Sequence, residues 1–178
     1  MDPVRLTWPV LEPRPISAPF GAEGPWWTTY GKHTGLDIAK DHGTPVYAAG
    51  SGTVVFSGPN GSFGECVIID HGWGRTLYAH LSTRFVPMGS PANSGTHLGN
   101  VGDTGLATGP HLHFGVYPYD EPQDNGVGGA VDPMPWLAYE PPPPPVLPPP
   151  VSDRYECEIV APFGTQEYVI RISNSTEG

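Results

Sequence analysis

Short apolar runs separated by Gly, Pro, Asn and Asp punctuate the chain from about residue 8 to residue 138. Thr53–Phe56, Cys66–Ile69, Thr76–Ala79 and His113–Tyr117 are each only a few residues long and bounded by turn formers, the signature of strands rather than helices. The intervals between them, about ten to twenty residues, are too short for repeated β-α-β crossovers, so antiparallel meanders are expected. The pattern predicts an all-β domain with a small antiparallel sheet core.

Beyond residue 140 the pattern changes. Residues 141–150 read PPPPPVLPPP, and proline fixes φ and cannot donate to a ladder, so this stretch is extended polyproline. A semi-rigid spacer is the plainer reading, a ligand for an SH3-type domain the sharper one. After it, residues 155–160 and 167–172 have the form of two strands of a short hairpin, which alone is marginal in water and calls for a partner surface. The expected organisation is a domain over 1–140, a linker over 141–150 and a C-terminal β-hairpin tail over 151–178, a docking element for a larger assembly.

Composition narrows the function classes. Gly and Pro number 24 each and charged residues make up 15%, in keeping with many turns and short strands. A net charge of −10 argues against nucleic acid or anionic membrane as partner, since both need a basic patch. No apolar run approaches the roughly 18 residues of a membrane-spanning helix, and the first residues lack the basic and apolar regions of a secretory signal. Cys66 and Cys157 are far apart with no Cys-x-x-Cys spacing, which excludes a cysteine metal knuckle; two unpaired thiols are expected, and a disulfide tying the tail to the domain is the alternative.

Candidate chemistry lies in the histidines. His111-Leu112-His113 on a strand presents two imidazoles on one face and turns Leu112 into the core, as a metal-binding pair or a structural one. His33 and Asp37, four apart, would share a face on a helix or, more in keeping with Gly35 and the β-type neighbours, on a strand; they suit a metal or a hydrogen-bonded turn. Imidazole nitrogen with carboxylate oxygen is a suitable donor set for zinc, which in catalytic sites takes three protein ligands.

The blocks Phe20-Gly21, His33-Thr-Gly-Leu-Asp-Ile38, Gly43–Val55, Val67–Gly72, Tyr78-Ala-His-Leu81, Leu98–Gly105, Thr108–Phe114 and Val131-Asp-Pro133, in this order and spacing, resemble the lysostaphin-like peptidoglycan endopeptidases. That family shares a small antiparallel β core with a groove, and the resemblance covers most of residues 16–137. It implies one zinc ion held by His33, Asp37 and His113, with His80 and His111 beside it as catalytic groups that move protons or stabilise an oxyanion. Two departures stand out: Gly115 replaces a glutamate often found after the His-x-His-Phe block, and Thr28–Lys32 lacks the arginine often found before the first histidine. Tyr30 is a candidate for the oxyanion or for packing, and Trp26 and Trp27 for a stacking rim or a cover for the core edge. His71 reads as structural, and His42 and His97 as exposed.

The resemblance thus implies a zinc-dependent endopeptidase acting on the peptide cross-links of bacterial peptidoglycan. The acidic charge, proline spacer and marginal hairpin suggest a phage tail-associated lysin, docked on tail proteins through residues 141–178. Its place would be the virion tail tip or the host wall after release. The alternatives are a soluble phage endolysin and an inactive structural or binding module of a tail tip.

Overall fold

The computed structural model describes residues 5–24 and 31–137, together with the backbone of two strands at 156–160 and 169–173. Two compact units result, Met1–Pro141 and Pro142–Gly178. Trp26, Trp27, Tyr30 and the linker 141–150 lie outside the described residues. No helix among the described residues is long and apolar enough to cross a membrane.

The first unit is a nine-stranded antiparallel sheet. Its strands are β1 (Ile16–Ala18), β2 (Leu36–Ala39), β3 (Pro45–Tyr47), β4 (Gly52–Pro59), β5 (Glu65–Asp70), β6 (Gly74–Arg84), β7 (Pro91–Ala92), β8 (His97–Val101) and β9 (His111–Pro118). They run in the order β1-β2-β9-β6-β5-β4-β7, with β8 paired to β6 and β3. The four runs singled out in the sequence fall inside β4, β5, β6 and β9. The expected meander holds for β4-β5-β6, but β9 returns over a long connection to insert between β2 and β6, a pairing that local patterning cannot specify. In the second unit β10 (Glu156–Val160) pairs antiparallel with β11 (Val169–Ser173).

The sheet has two chemically distinct faces because strand side chains alternate. Leu36 and Ile38 of β2, Val67 and Ile69 of β5, Tyr78 of β6, and Leu112, Phe114 and Val116 of β9 enter the main core, where all are essentially fully buried. Tyr78, the largest of them, accepts the Ala49 amide at 2.7 Å on its hydroxyl, and burial pushes that phenol up to about 12. His71 is structural, as its sequence setting suggests: Nδ1 donates to the Ser51 carbonyl at 2.8 Å and Nε2 lies 2.8 Å from the Thr76 hydroxyl. Its ring stacks on Trp73, which stacks in turn on Trp136. His42 and His97 are exposed.

The opposite face carries a smaller cluster of Cys66, Leu77 and Ala79, flanked by Phe56, Phe63, Ile68 and Tyr117. Cys66 is a free thiol, fully buried, and that burial pushes its pKa up to about 11. Since the thiolate is the reactive species, Cys66 in a Cys157→Ser chain is expected to react with a thiol reagent at least ~100-fold more slowly in native protein than in denaturant. Comparable rates in both conditions would show that this face opens readily.

Candidate metal centre

Three side chains meet on the second face at the junction of β2 and β9. Asp37 and His113 are direct cross-strand partners, and Ala39 pairs with His111, so strand register alone puts Asp37, His111 and His113 on one face. His33 arrives differently. The even spacing from His33 to Asp37 suggested one continuous strand, but β2 begins only at Leu36 and His33 precedes it, beyond a bend at Gly35. A Cβ at Gly35 would lie 2.6 Å from the Phe114 carbonyl oxygen and 2.7 Å from two atoms of the His113 ring. Glycine thus lets the backbone pass flat against β9 and the His113 ring, which places His33 over the site.

The donor atoms converge closely. His33 Nε2 lies 3.0 Å from Asp37 Oδ1 and 3.0 Å from His113 Nδ1, and His113 Nδ1 lies 2.9 Å from Asp37 Oδ1. The two rings are almost fully buried, and Asp37 is mostly so. His33 Nδ1 is 2.9 Å from the Pro19 carbonyl, which can only accept, so Nδ1 carries the proton and a neutral His33 turns a lone pair inward. His33 Nε2 and Asp37 Oδ1 then both turn lone pairs toward His113 Nδ1, an arrangement that a cation would hold together. Among the described residues these three form the group able to hold a metal ion. They fit zinc: two imidazoles and a carboxylate, buried.

Electrostatics agree with that reading. Burial pushes the Asp37 carboxyl up, but the closely placed His113 and His33 rings outweigh it and hold the group well below the usual carboxylate range. Burial lowers the pKa of His113, with Asp37 opposing. His113 Nε2 is buried without a hydrogen-bond partner among the described residues.

His80 and His111 stand beside these three. The ring centroid of His80 is 4.6 Å from that of His111 and 5.9 Å from that of His113, and His111 Nε2 is 3.6 Å from Asp37 Oδ2. His80 reaches the face through a backbone irregularity that its sequence does not announce. Ala79 pairs with His113 and Leu81 with Val101, so β6 changes partner from β9 to β8 at His80. Against β5, Val67 pairs with Tyr78 and Glu65 with Leu81, which leaves one extra residue on β6. That bulge, with φ of 59° at His80, turns the side chain toward the face that Ala79 already occupies. A left-handed conformation at a residue with a Cβ costs about 1–2 kcal/mol and persists where the surroundings enforce it.

Thr104 supplies that enforcement. Its hydroxyl accepts from the Glu65 amide at 2.9 Å and donates to the Leu81 carbonyl at 2.8 Å, while its own carbonyl accepts from His80 Nδ1 at 2.8 Å. His111 Nδ1 similarly donates to the Gly109 carbonyl at 2.8 Å. Both rings are therefore tautomer-set, with Nε2 as the lone-pair nitrogen. Burial and the neighbouring His113 and His111 lower the His80 pKa to about 4 against the raising effect of the Thr104 carbonyl, so the ring is neutral at pH 7. The sequence reading assigned no role to Thr104 and took Gly35 only as a sign of a strand; the signal for both lies in their place inside the motif blocks that carry the histidines.

Along β9, Gly115 and Tyr117 follow His113 on the same face. The Phe63 ring lies 5.4 Å from that of His113.

Comparison with known proteins agrees with this architecture. The catalytic domain of the antimicrobial peptidase lysostaphin from Staphylococcus simulans superposes with a TM-score of 0.63 at 31% identity, covering 70% of this chain and 92% of that one. A zinc-containing peptidase from Vibrio cholerae gives a TM-score of 0.62 at 29% identity, over 78% of this chain and 41% of that one. In sequence, DD-carboxypeptidase/endopeptidase Mpg of Neisseria meningitidis is 46% identical over 101 residues, which is 56% of this chain and 23% of the length of that protein. The model of peptidase family M23 matches residues 31–125, which contain all five residues of the site, and the chain belongs to that family.

Proposed function

We propose that the protein is a zinc-dependent endopeptidase that hydrolyses peptide cross-links of bacterial peptidoglycan. The observation that carries this reading is the convergence of His33 Nε2, Asp37 Oδ1 and His113 Nδ1, with two further histidines alongside. Relatives described as peptidoglycan DD-endopeptidases, ShyA of Vibrio cholerae among them, support the substrate class. His33, Asp37 and His113 hold the ion, which when bound supplies Lewis acidity toward a peptide carbonyl and toward water.

The flanking histidines handle the protons. Neutral His80, anchored through Nδ1 on Thr104, and His111, anchored through Nδ1 on Gly109, each offer Nε2 to the reacting groups. One of them takes the proton of the attacking water and delivers it to the leaving amine. The other, when protonated, donates a hydrogen bond to the tetrahedral oxyanion. The closed carbonyl anchors keep both rings from rotating away, which matters because general acid–base transfer needs hydrogen-bond reach.

Single replacements test this division from the metal set. His80→Ala and His111→Ala are each expected to keep one zinc per chain while peptide release from purified sacculi falls by about 10²–10⁴-fold. Undiminished release from both variants would remove the two histidines from the chemistry. Loss of zinc from either one would move that histidine into the ligand set.

The finer biological reading extends the same proposal. An acidic chain, a proline-rich segment and the β10–β11 hairpin support attachment to a larger assembly, in a phage tail tip that opens the wall. Mass spectrometry of purified virions decides between that placement and a soluble endolysin, which would be absent from the particles.

A further inference from the structure

His80 takes its left-handed conformation at a place where β5 and β6 stand apart. The Glu65 amide reaches the Leu81 carbonyl only through the Thr104 hydroxyl, by two hydrogen bonds of 2.9 and 2.8 Å end to end in place of one direct bond. Just before Glu65, the backbone of Gly64 lies flat on Thr104: a Cβ there would fall 2.4 Å from the Thr104 carbonyl carbon and 2.4 Å from its oxygen. That carbonyl is the one that accepts from His80 Nδ1. The start of β5 therefore presses on the group that fixes the His80 ring, and a displacement of Glu65 is passed on to it.

A side chain from beyond the bulge holds the start of β5 in place. Arg84, three residues past Leu81, donates through Nε to Glu65 Oε2 and through Nη1 to Ser57 Oγ at 2.9 Å, and Ser57 Oγ donates to the Val86 carbonyl at 2.7 Å. At Arg84 the strand β6 has left β5 and pairs with β8, with Arg84 opposite Gly99. The guanidinium thus draws the two splayed strands together across the inserted hydroxyl, its planar fork serving β5 and β4 at once. Resting on the function proposed above, we infer that Glu65 and Arg84 are positioning residues: their ion pair seats the first residue of β5 against Thr104 and through it keeps His80 Nε2 within reach of the reacting groups. The Arg84 and Glu65 side chains are 28% and 31% exposed, so water screens the pair and its share of the stability is small. Its effect falls on geometry, to which proton transfer is far more sensitive than folding is.

Arg84→Met, which keeps the aliphatic stem and removes the fork, is expected to lower kcat on a cross-linked peptide by about tenfold, with KM, one zinc per chain and the melting temperature close to those of the unmutated protein. Glu65→Gln, which keeps the shape of the side chain and drops its charge, is expected to act in the same direction, and Arg84→Lys to recover part of the loss. In a His80→Ala chain, Arg84→Met should cost nothing further, because the pair acts through that ring. The NMR signal of the His80 Nδ1 proton, shielded by its bond to Thr104, gives a readout independent of turnover: it should exchange with water about tenfold faster in Arg84→Met and in Glu65→Gln. Faster exchange in these variants, alongside unmutated protein that cleaves no peptide, keeps the positioning role and defeats the endopeptidase reading. Unchanged exchange, an unchanged kcat in a protein that does cleave, or an equal loss of kcat with and without His80 overturns the positioning role. So does a loss of zinc or of folding in both Arg84→Met and Glu65→Gln, which would make the pair a support of the fold alone.

Discussion

His113→Ala is expected to strip the protein of zinc and of peptidoglycan hydrolysis together. His113 Nδ1 is 2.9 Å from Asp37 Oδ1 and 3.0 Å from His33 Nε2, so its removal leaves two donors where the ion needs three. The ion contributes several kcal/mol to transition-state stabilisation, and each ~1.4 kcal/mol is tenfold in rate, so kcat/KM should fall by at least about 10³-fold. Metal analysis reads the first loss and muropeptide release the second. A thermal shift supplies a third measurement, because a ligand that binds only the native state stabilises it by about 4 kcal/mol at a thousand times its dissociation constant. Zinc should therefore raise the melting temperature of the unmutated chain and leave that of His113→Ala unchanged. A variant that still carries one zinc per chain would remove His113 from the ligand set.

Gly35→Ala is the second change with a large expected effect, although it removes no ionisable group. The added methyl would stand 2.6 Å from the Phe114 carbonyl oxygen and 2.7 Å from the His113 Cε1 and Nε2 atoms. Neither neighbour yields easily, since Phe114 is a fully buried strand residue paired with Leu36 and the His113 ring is packed against Phe63. The chain between His33 and Leu36 must lift, and overpacking of this kind costs about 1–3 kcal/mol. Lifting it carries His33 away from Asp37, so zinc affinity should fall about 10–100-fold or more, the range for losing the groups that orient a ligand. Denaturant midpoints with and without zinc separate the two effects. A wild-type zinc dissociation constant in Gly35→Ala would show that His33 is positioned by Pro19 and β1 rather than by the pass over β9.

Much of the candidate centre was legible in the sequence. His111-Leu112-His113 required only alternation, and the strand obeys it, with Leu112 in the core and both imidazoles on the opposite face. Order and spacing of the motif blocks, rather than any periodicity, drew His33, Asp37 and His80 into the same expectation. The reason expected for the His33–Asp37 alignment was incorrect: a shared strand was predicted, whereas a glycine bend before β2 does the work. His80 is the clearer case. By plain alternation after Ala79 it would point into the main core, and only the bulge between two sheet partners turns it back.

Strand positions and the burial of one residue in two are local properties, since side-chain alternation and turn-forming residues act over a few neighbours, and the sequence by itself determined them. It also determined the side-chain types of the candidate centre and the glycine at position 115. The tertiary structure alone decided that β9 lies between β2 and β6, that Thr104 anchors His80, and that the Tyr117 ring lies over Gly115. Those outcomes depend on contacts between residues tens of positions apart, whose register is set by how whole strands pack and not by the residues next to them.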